Sequence, residues 1–118
     1  MKVSPDLTER DVDEILGISQ SFRVNGYTTT EHNPKYITEV LGKGGASGDA
    51  VYEKSFGVQK MFHNGLKCNP SVKIIPCGGI SSLEKMMERT KVYKNVDEVQ
   101  IFTPLIYRGL KLLRELKF

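Results

Sequence analysis

The 118-residue chain has no tryptophan, only two cysteines and two histidines, and no long apolar run. So few cysteines exclude a disulfide framework, and neither Cys68 nor Cys77 stands in a C-x-x-C or Cys/His spacing suited to zinc. Free thiols in a reducing compartment are expected. His32 and His63 are isolated from any serine or cysteine nucleophile motif, so nucleophile–base catalysis has no support. P-loop, G-x-S-x-G and metal-ligand patterns are absent as well, and no metal is expected. The longest apolar cluster, residues 72–77 interrupted by Lys73, is about a third of the ~20 residues a membrane-spanning helix needs. With a mean hydropathy of -0.31, no transmembrane segment is expected. Residues 1–6 hold neither an apolar stretch nor an Arg-rich amphipathic leader, so no targeting signal is read there.

What the chain does have is an ordinary composition, 39% hydrophobic and 26% charged, with 17 Lys+Arg against 14 Asp+Glu. The net charge of +3 is matched by the tail alone, where Arg108, Lys111, Arg114 and Lys117 face only Glu115. Such a helix suits anionic lipid or nucleic acid, but cations near a helix C-terminus also make a plain solvated face. The second reading is adopted, and no nucleic-acid partner is expected.

Short apolar runs alternate with helical stretches, the pattern of parallel strands joined by crossover helices in an α/β fold. A stub at Lys2-Val3 and the Ser4-Pro5-Asp6 turn precede a helix over residues 8–21. That helix opens on a capping box, Thr8 to Asp11, and places Val12, Ile15, Leu16 and Phe22 on one face. A second strand is expected over residues 24–30, rich in Thr and Tyr. A loop over residues 31–48 ends in Gly44-Gly45-Ala46-Ser47-Gly48, and Val51, Val58, Met61 and Phe62 mark the next helix. Residues 72–77 read as a buried strand, broken by Gly78-Gly79 before a helix whose capping box runs from Ser81 to Glu84. A fourth strand over residues 98–102 leads through Thr103-Pro104 into a Leu-rich terminal helix. Four units of about 30 residues amount to half of a (β/α)8 barrel, which takes roughly 250 residues when complete. A half of this kind has two exposed sheet edges, and an open four-stranded sheet needs a partner or helices on both faces to cover its apolar strands.

Gly78-Gly79 lies between a strand end and a helix start, where backbone amides can approach an anion. Phe102-Thr103 holds the equivalent place one unit later, and barrel phosphate sites are frequently built by the loops after the last two strands. A Gly pair after a strand is also an ordinary turn, and residues 44–48 can be a cofactor loop or a flexible linker. Lys2 at a strand stub is an ordinary exposed lysine on its sequence position alone.

The ordered set Lys2-Val3-Ser4-Pro5-Asp6-Leu7, Asn25-Gly26 with Thr28-Thr29-Thr30, Gly44-Gly45-Ala46-Ser47-Gly48, Ile74-Ile75-Pro76-Cys77-Gly78-Gly79-Ile80 and residues 99–109 resembles the C-terminal half of a dihydroorotate dehydrogenase. The quinone-using, membrane-associated class is the nearer match, and the resemblance covers residues 1–118 as one partial barrel. It implies FMN-dependent oxidation of dihydroorotate to orotate in pyrimidine synthesis, with quinone as acceptor and a mitochondrial inner-membrane location. By the same resemblance Lys2 and Thr30 border the flavin ring, Gly45 lies beneath it, and Gly79, Phe102 and Thr103 form its phosphate pocket. Phe102 stands where a tyrosine is usual.

Two departures accompany the match. Glu31 and His32 stand where Asn-Thr normally contacts substrate, and a carboxylate there would repel orotate. Asn95-Val96-Asp97 replaces the usual small Ala-Gly-Ala before the last strand. The family's catalytic serine belongs to its other half, so the resemblance implies no catalytic residue in this chain and no turnover by it alone. The competing expectation is an inactive remnant, or a half-barrel that binds a partner chain through its open edges.

Overall fold

The computed structural model describes residues 1–29, 45–91 and 93–116. Three strands, β1 (Lys2–Val3), β2 (Gly26–Thr29) and β3 (Lys73–Ile75), form a parallel sheet in the order β1-β2-β3. Lys2 is in register with Thr28 and Val3 with Thr29, while Tyr27 is in register with Ile74 and Thr28 with Ile75. In-register residues share a face, so Val3, Tyr27 and Ile74 point one way, and Lys2, Thr28 and Ile75 the other.

Helices α1 (Glu9–Ser19) and α2 (Tyr52–Gly65) supply the packing for the first face. Val12 from α1 and Val58 and Phe62 from α2 join Val3, Tyr27, Leu66, Ile74 and Val96 in one buried cluster. The Phe62 and Tyr27 rings meet at 4.6 Å between centroids, pinning α2 to the middle strand. The opposite face carries exposed Lys2 and Lys73 and borders a cavity of about 420 Å³ lined by Met1, Gly26, Thr28, Ile75 and Glu98. Parallel sheets are ordinarily covered on both faces, and among the described residues α1 and α2 pack on the first.

The capping box of α1 forms as expected: the Thr8 side chain accepts from the Asp11 amide, and the Asp11 carboxylate accepts from the Thr8 amide at 2.8 Å. Thr8→Ala should lower stability by about 1 kcal/mol, read as a shift of the urea midpoint at unchanged slope. The helix stops at Ser19, two residues earlier than expected. Ser19 Oγ donates to the Ile15 carbonyl, and the chain turns through Ser21 and Phe22, leaving Phe22 67% exposed instead of on the packing face.

Three further elements differ from expectation for local physical reasons. Helix α3 (Leu83–Thr90) is capped by Ser82, which accepts from the Lys85 amide, not by a box from Ser81, whose hydroxyl donates to Asp49 at 2.6 Å and accepts from Lys85 Nζ. The fourth strand is reduced to a single parallel bridge between Cys77 and Gln100, with Asp97 and Glu98 exposed to solvent. Among the described residues, no strand lies on the far side of Gln100 to extend the pairing. The Leu-rich tail is split into α4 (Thr103–Arg108) and α5 (Leu110–Glu115) by Gly109, whose φ of 60° lies in the left-handed region. The break lets Leu112 and Leu116 turn inward while Ile106, Tyr107 and Leu110 stay exposed.

Candidate functional site

Three loops meet at the C-terminal ends of the strands. Gly48 opens a 3-10 turn (Gly48–Val51) that leads directly into α2, Gly78 and Gly79 follow β3, and Thr103 opens α4. Gly48, Gly78 and Gly79 have φ of 68°, 103° and 70°, a region disfavoured for any residue with a Cβ. A Cβ on Gly79 would lie 2.7 Å from Tyr52 Cβ and 2.8 Å from the Gly48 carbonyl oxygen. A Cβ on Gly48 would lie 3.2 Å from Thr103 Cγ2. The result is a cradle of backbone beside Thr103, in which conformation favours glycine at both Gly48 and Gly79 and space requires it at Gly79.

Charged groups rim the cradle. Asp49 accepts from Lys85 Nζ at 2.7 Å and from Ser81, and Arg108 donates to the Ser81 carbonyl and to Glu115. The hydrogen bonds from Lys85 and Ser81 hold the Asp49 carboxyl below its ordinary pKa. A carboxylate whose folded pKa is depressed adds stability above its unfolded value, which is lost as pH falls through the folded one. Asp49→Asn should therefore flatten the fall of stability with acid below about pH 4. The effect should stay under about 1 kcal/mol because the side chain is 67% exposed. Urea midpoints measured across that pH range provide the check.

Behind the cradle lies a buried polar network that composition and motif reading do not reveal. Arg89, Gln59, Ser55 and Thr29 are each 0% exposed. Arg89 donates from Nε to Gln59 Oε1 and from Nη2 to Ser55 Oγ at 3.0 Å and Thr29 Oγ1 at 3.4 Å. Burial lowers the Arg89 pKa to about 10, which leaves it a cation at neutral pH. Tyr52 donates to Glu88, and burial together with that carboxylate raises its pKa above the usual tyrosine value.

A family model described as "Dihydroorotate dehydrogenase" matches residues 1–117. The chain belongs to the dihydroorotate dehydrogenase family. It is 32% identical to the "Dihydroorotate dehydrogenase (quinone)" of Haemophilus influenzae (strain 86-028NP), over 98% of this chain and 34% of that protein. The protein of the same description from Corynebacterium striatum is 28% identical, over 97% of this chain and 33% of its own length. The crystal structure of DHODH from Eimeria tenella in complex with ferulenol superposes with a TM-score of 0.71 at 26% identity, covering 98% of this chain and 31% of that one. The chain thus spans about a third of the length of the curated relatives it matches.

Of the six residues named from the family resemblance, the structure groups Gly79 and Thr103 around Gly48, with Phe102 beside Thr103 and 58% exposed. Gly45 is half-buried, three residues before Gly48. Lys2 is exposed in β1, across the sheet from β3. Thr30, with Glu31 and His32, lies outside the described residues. Gly48 was legible only as part of a glycine-rich run. The departure at residues 95–97 has a structural use: the Asn95 carbonyl accepts from the Ile74 amide at 2.9 Å, and its side chain donates to the Val72 carbonyl and meets His63 Nδ1. His63 is thereby part of the packing at the foot of β3. Among the described residues no group of three or more His, Cys, Asp or Glu could hold a metal, and no helix is long and apolar enough to cross a membrane.

Proposed function

We propose that residues 1–118 are one partial (β/α)8 barrel of four β/α units, forming the flavin-phosphate part of a dihydroorotate dehydrogenase site. The observation that carries this reading is the meeting of Gly48, Gly79 and Thr103 at the strand ends, with no room for a Cβ on Gly79. Glycines with positive φ at a strand end, beside a threonine, are the kind of backbone a phosphate monoester rests on, and the family membership makes FMN the ligand of choice. Gly79, Phe102 and Thr103 would hold the phosphate, and Lys2, Thr30 and Gly45 would border the ring. FMN, when bound, supplies the redox chemistry; the chain supplies binding and orientation.

The activity is oxidation of dihydroorotate to orotate with quinone as acceptor, in pyrimidine synthesis, at the mitochondrial inner membrane. This chain alone does not turn over, because the resemblance locates the catalytic serine in the other half of the barrel. That half, or a partner chain in its place, would pair with the open edges of the parallel sheet. Isolation of the native polypeptide with an antibody against residues 108–118, followed by a quinone-reduction assay, tests the reading. Dihydroorotate-dependent activity is expected in a fraction that also carries the other half of the barrel; a fraction that carries it yet holds no flavin and shows no activity contradicts the reading.

A further inference from the structure

Arg89 reaches, among the described residues, only neutral acceptors. Besides Gln59, Ser55 and Thr29, its Nη1 donates to the Tyr52 carbonyl at 3.5 Å. Gln59 Nε2 returns a bond to the Arg89 carbonyl at 2.7 Å. The guanidinium also sits over the Tyr52 and Phe56 rings, 5.4 and 5.1 Å from their centroids. A cation buried against neutral partners is expensive, whereas an apolar side chain of similar length would fill the space without desolvating a charge. A planar fork with several donors offers what an apolar residue lacks: it fixes several acceptors at once.

Those acceptors lead to the cradle. Ser55 Oγ, held by Arg89, donates to the Cys77 carbonyl, and Thr29 Oγ1, also held by Arg89, accepts from the Cys77 amide at 3.3 Å. Both backbone polar groups of the residue before Gly78-Gly79 are therefore gripped by hydroxyls that Arg89 orients. The third contact, on the Tyr52 carbonyl, holds the residue whose Cα and Cβ form the wall against Gly79. We propose that Arg89 is a positioning residue for the anion cradle, acting through Ser55 and Thr29 on the Cys77 backbone and through Tyr52 on the wall facing Gly79. The link from cradle to ligand rests on the flavin reading above; the link from Arg89 to the loop does not.

The test compares the 118-residue chain with Arg89→Met and Ser55→Ala by hydrogen exchange over residues 76–82 and over α1 as the control, with titrations of FMN and of riboflavin, which lacks the phosphate. Both variants should exchange about tenfold faster over residues 76–82 while α1 keeps its protection. FMN affinity should fall about tenfold and riboflavin affinity should not change. Ser55→Ala removes a single hydroxyl and decides the matter if Arg89→Met does not fold. Faster exchange throughout the chain, unchanged exchange in the loop, or local loosening with FMN affinity intact each overturns the proposal. A wild-type chain that takes up no FMN sinks the flavin reading instead, and the exchange arm alone then decides whether Arg89 positions the loop.

Discussion

Gly79→Ala lowers the stability of the chain by about 2–5 kcal/mol, the sum of two separate penalties, and abolishes its uptake of FMN. The first is conformational: at a φ of 70° a residue with a Cβ loses roughly 1–2 kcal/mol. The second is steric, since the new Cβ would press on Tyr52 Cβ at 2.7 Å and on the Gly48 carbonyl at 2.8 Å. Overpacking of that kind costs typically about 1–3 kcal/mol, and one of the two atoms is backbone that cannot swing aside. Gly17→Ala is the matched control. Gly17 lies inside α1 with nothing within 4 Å of its added Cβ, so alanine there should stabilise by roughly 0.5–1 kcal/mol. Urea denaturation of both variants checks the stability, and FMN fluorescence quenching checks the binding.

Phe62→Ala is expected to cost about 3–5 kcal/mol, because the ring is 0% exposed and its loss leaves a cavity between α2 and the sheet. The Tyr27 ring, tilted against it at 4.6 Å, loses its main aromatic neighbour. A domain of this size commands about 5–15 kcal/mol in all, so the variant should populate unfolded chain at body temperature. A urea midpoint within experimental error of the parent would show that the α2–β2 contact does not hold the core.

Much of this architecture could be read from residue order, and the gaps have physical causes. Thr8 and Asp11 mark the start of α1 because a capping box is purely local chemistry, and residues 72–77 announce β3 because a short β-branched run ended by Pro76 and Gly78-Gly79 reads as a strand. The run at residues 98–102 alternates polar and apolar residues as a strand would, yet among the described residues only Gln100 bridges to Cys77. Ser81 looks as good a cap as Ser82, but its hydroxyl is engaged by Asp49, 32 positions earlier, and by Lys85 Nζ, while Ser82 accepts from the Lys85 amide. The tail reads as one helix because leucine periodicity continues through Gly109, where the backbone conformation breaks it.

The buried network is harder to foresee because apolar periodicity passes over polar residues. Tyr52, Ser55, Gln59 and Phe62 occupy one stripe of α2, and all four are buried. Two polar side chains within a core-facing stripe are the signal that a buried partner exists, but nothing in the run Glu88-Arg89-Thr90 says which of its residues that is. In the candidate site the glycine pair at 78–79 was legible from its place between strand and helix, whereas the part played by Gly48 depends on three loops meeting in space.

The measurement that tests the central claim most directly is a parallel titration of the 118-residue chain with FMN and with riboflavin, followed by quenching of flavin fluorescence. A phosphate cradle at Gly48, Gly79 and Thr103 predicts that FMN binds at least about tenfold more tightly than riboflavin. Equal affinity for the two, or no uptake of FMN, would contradict it.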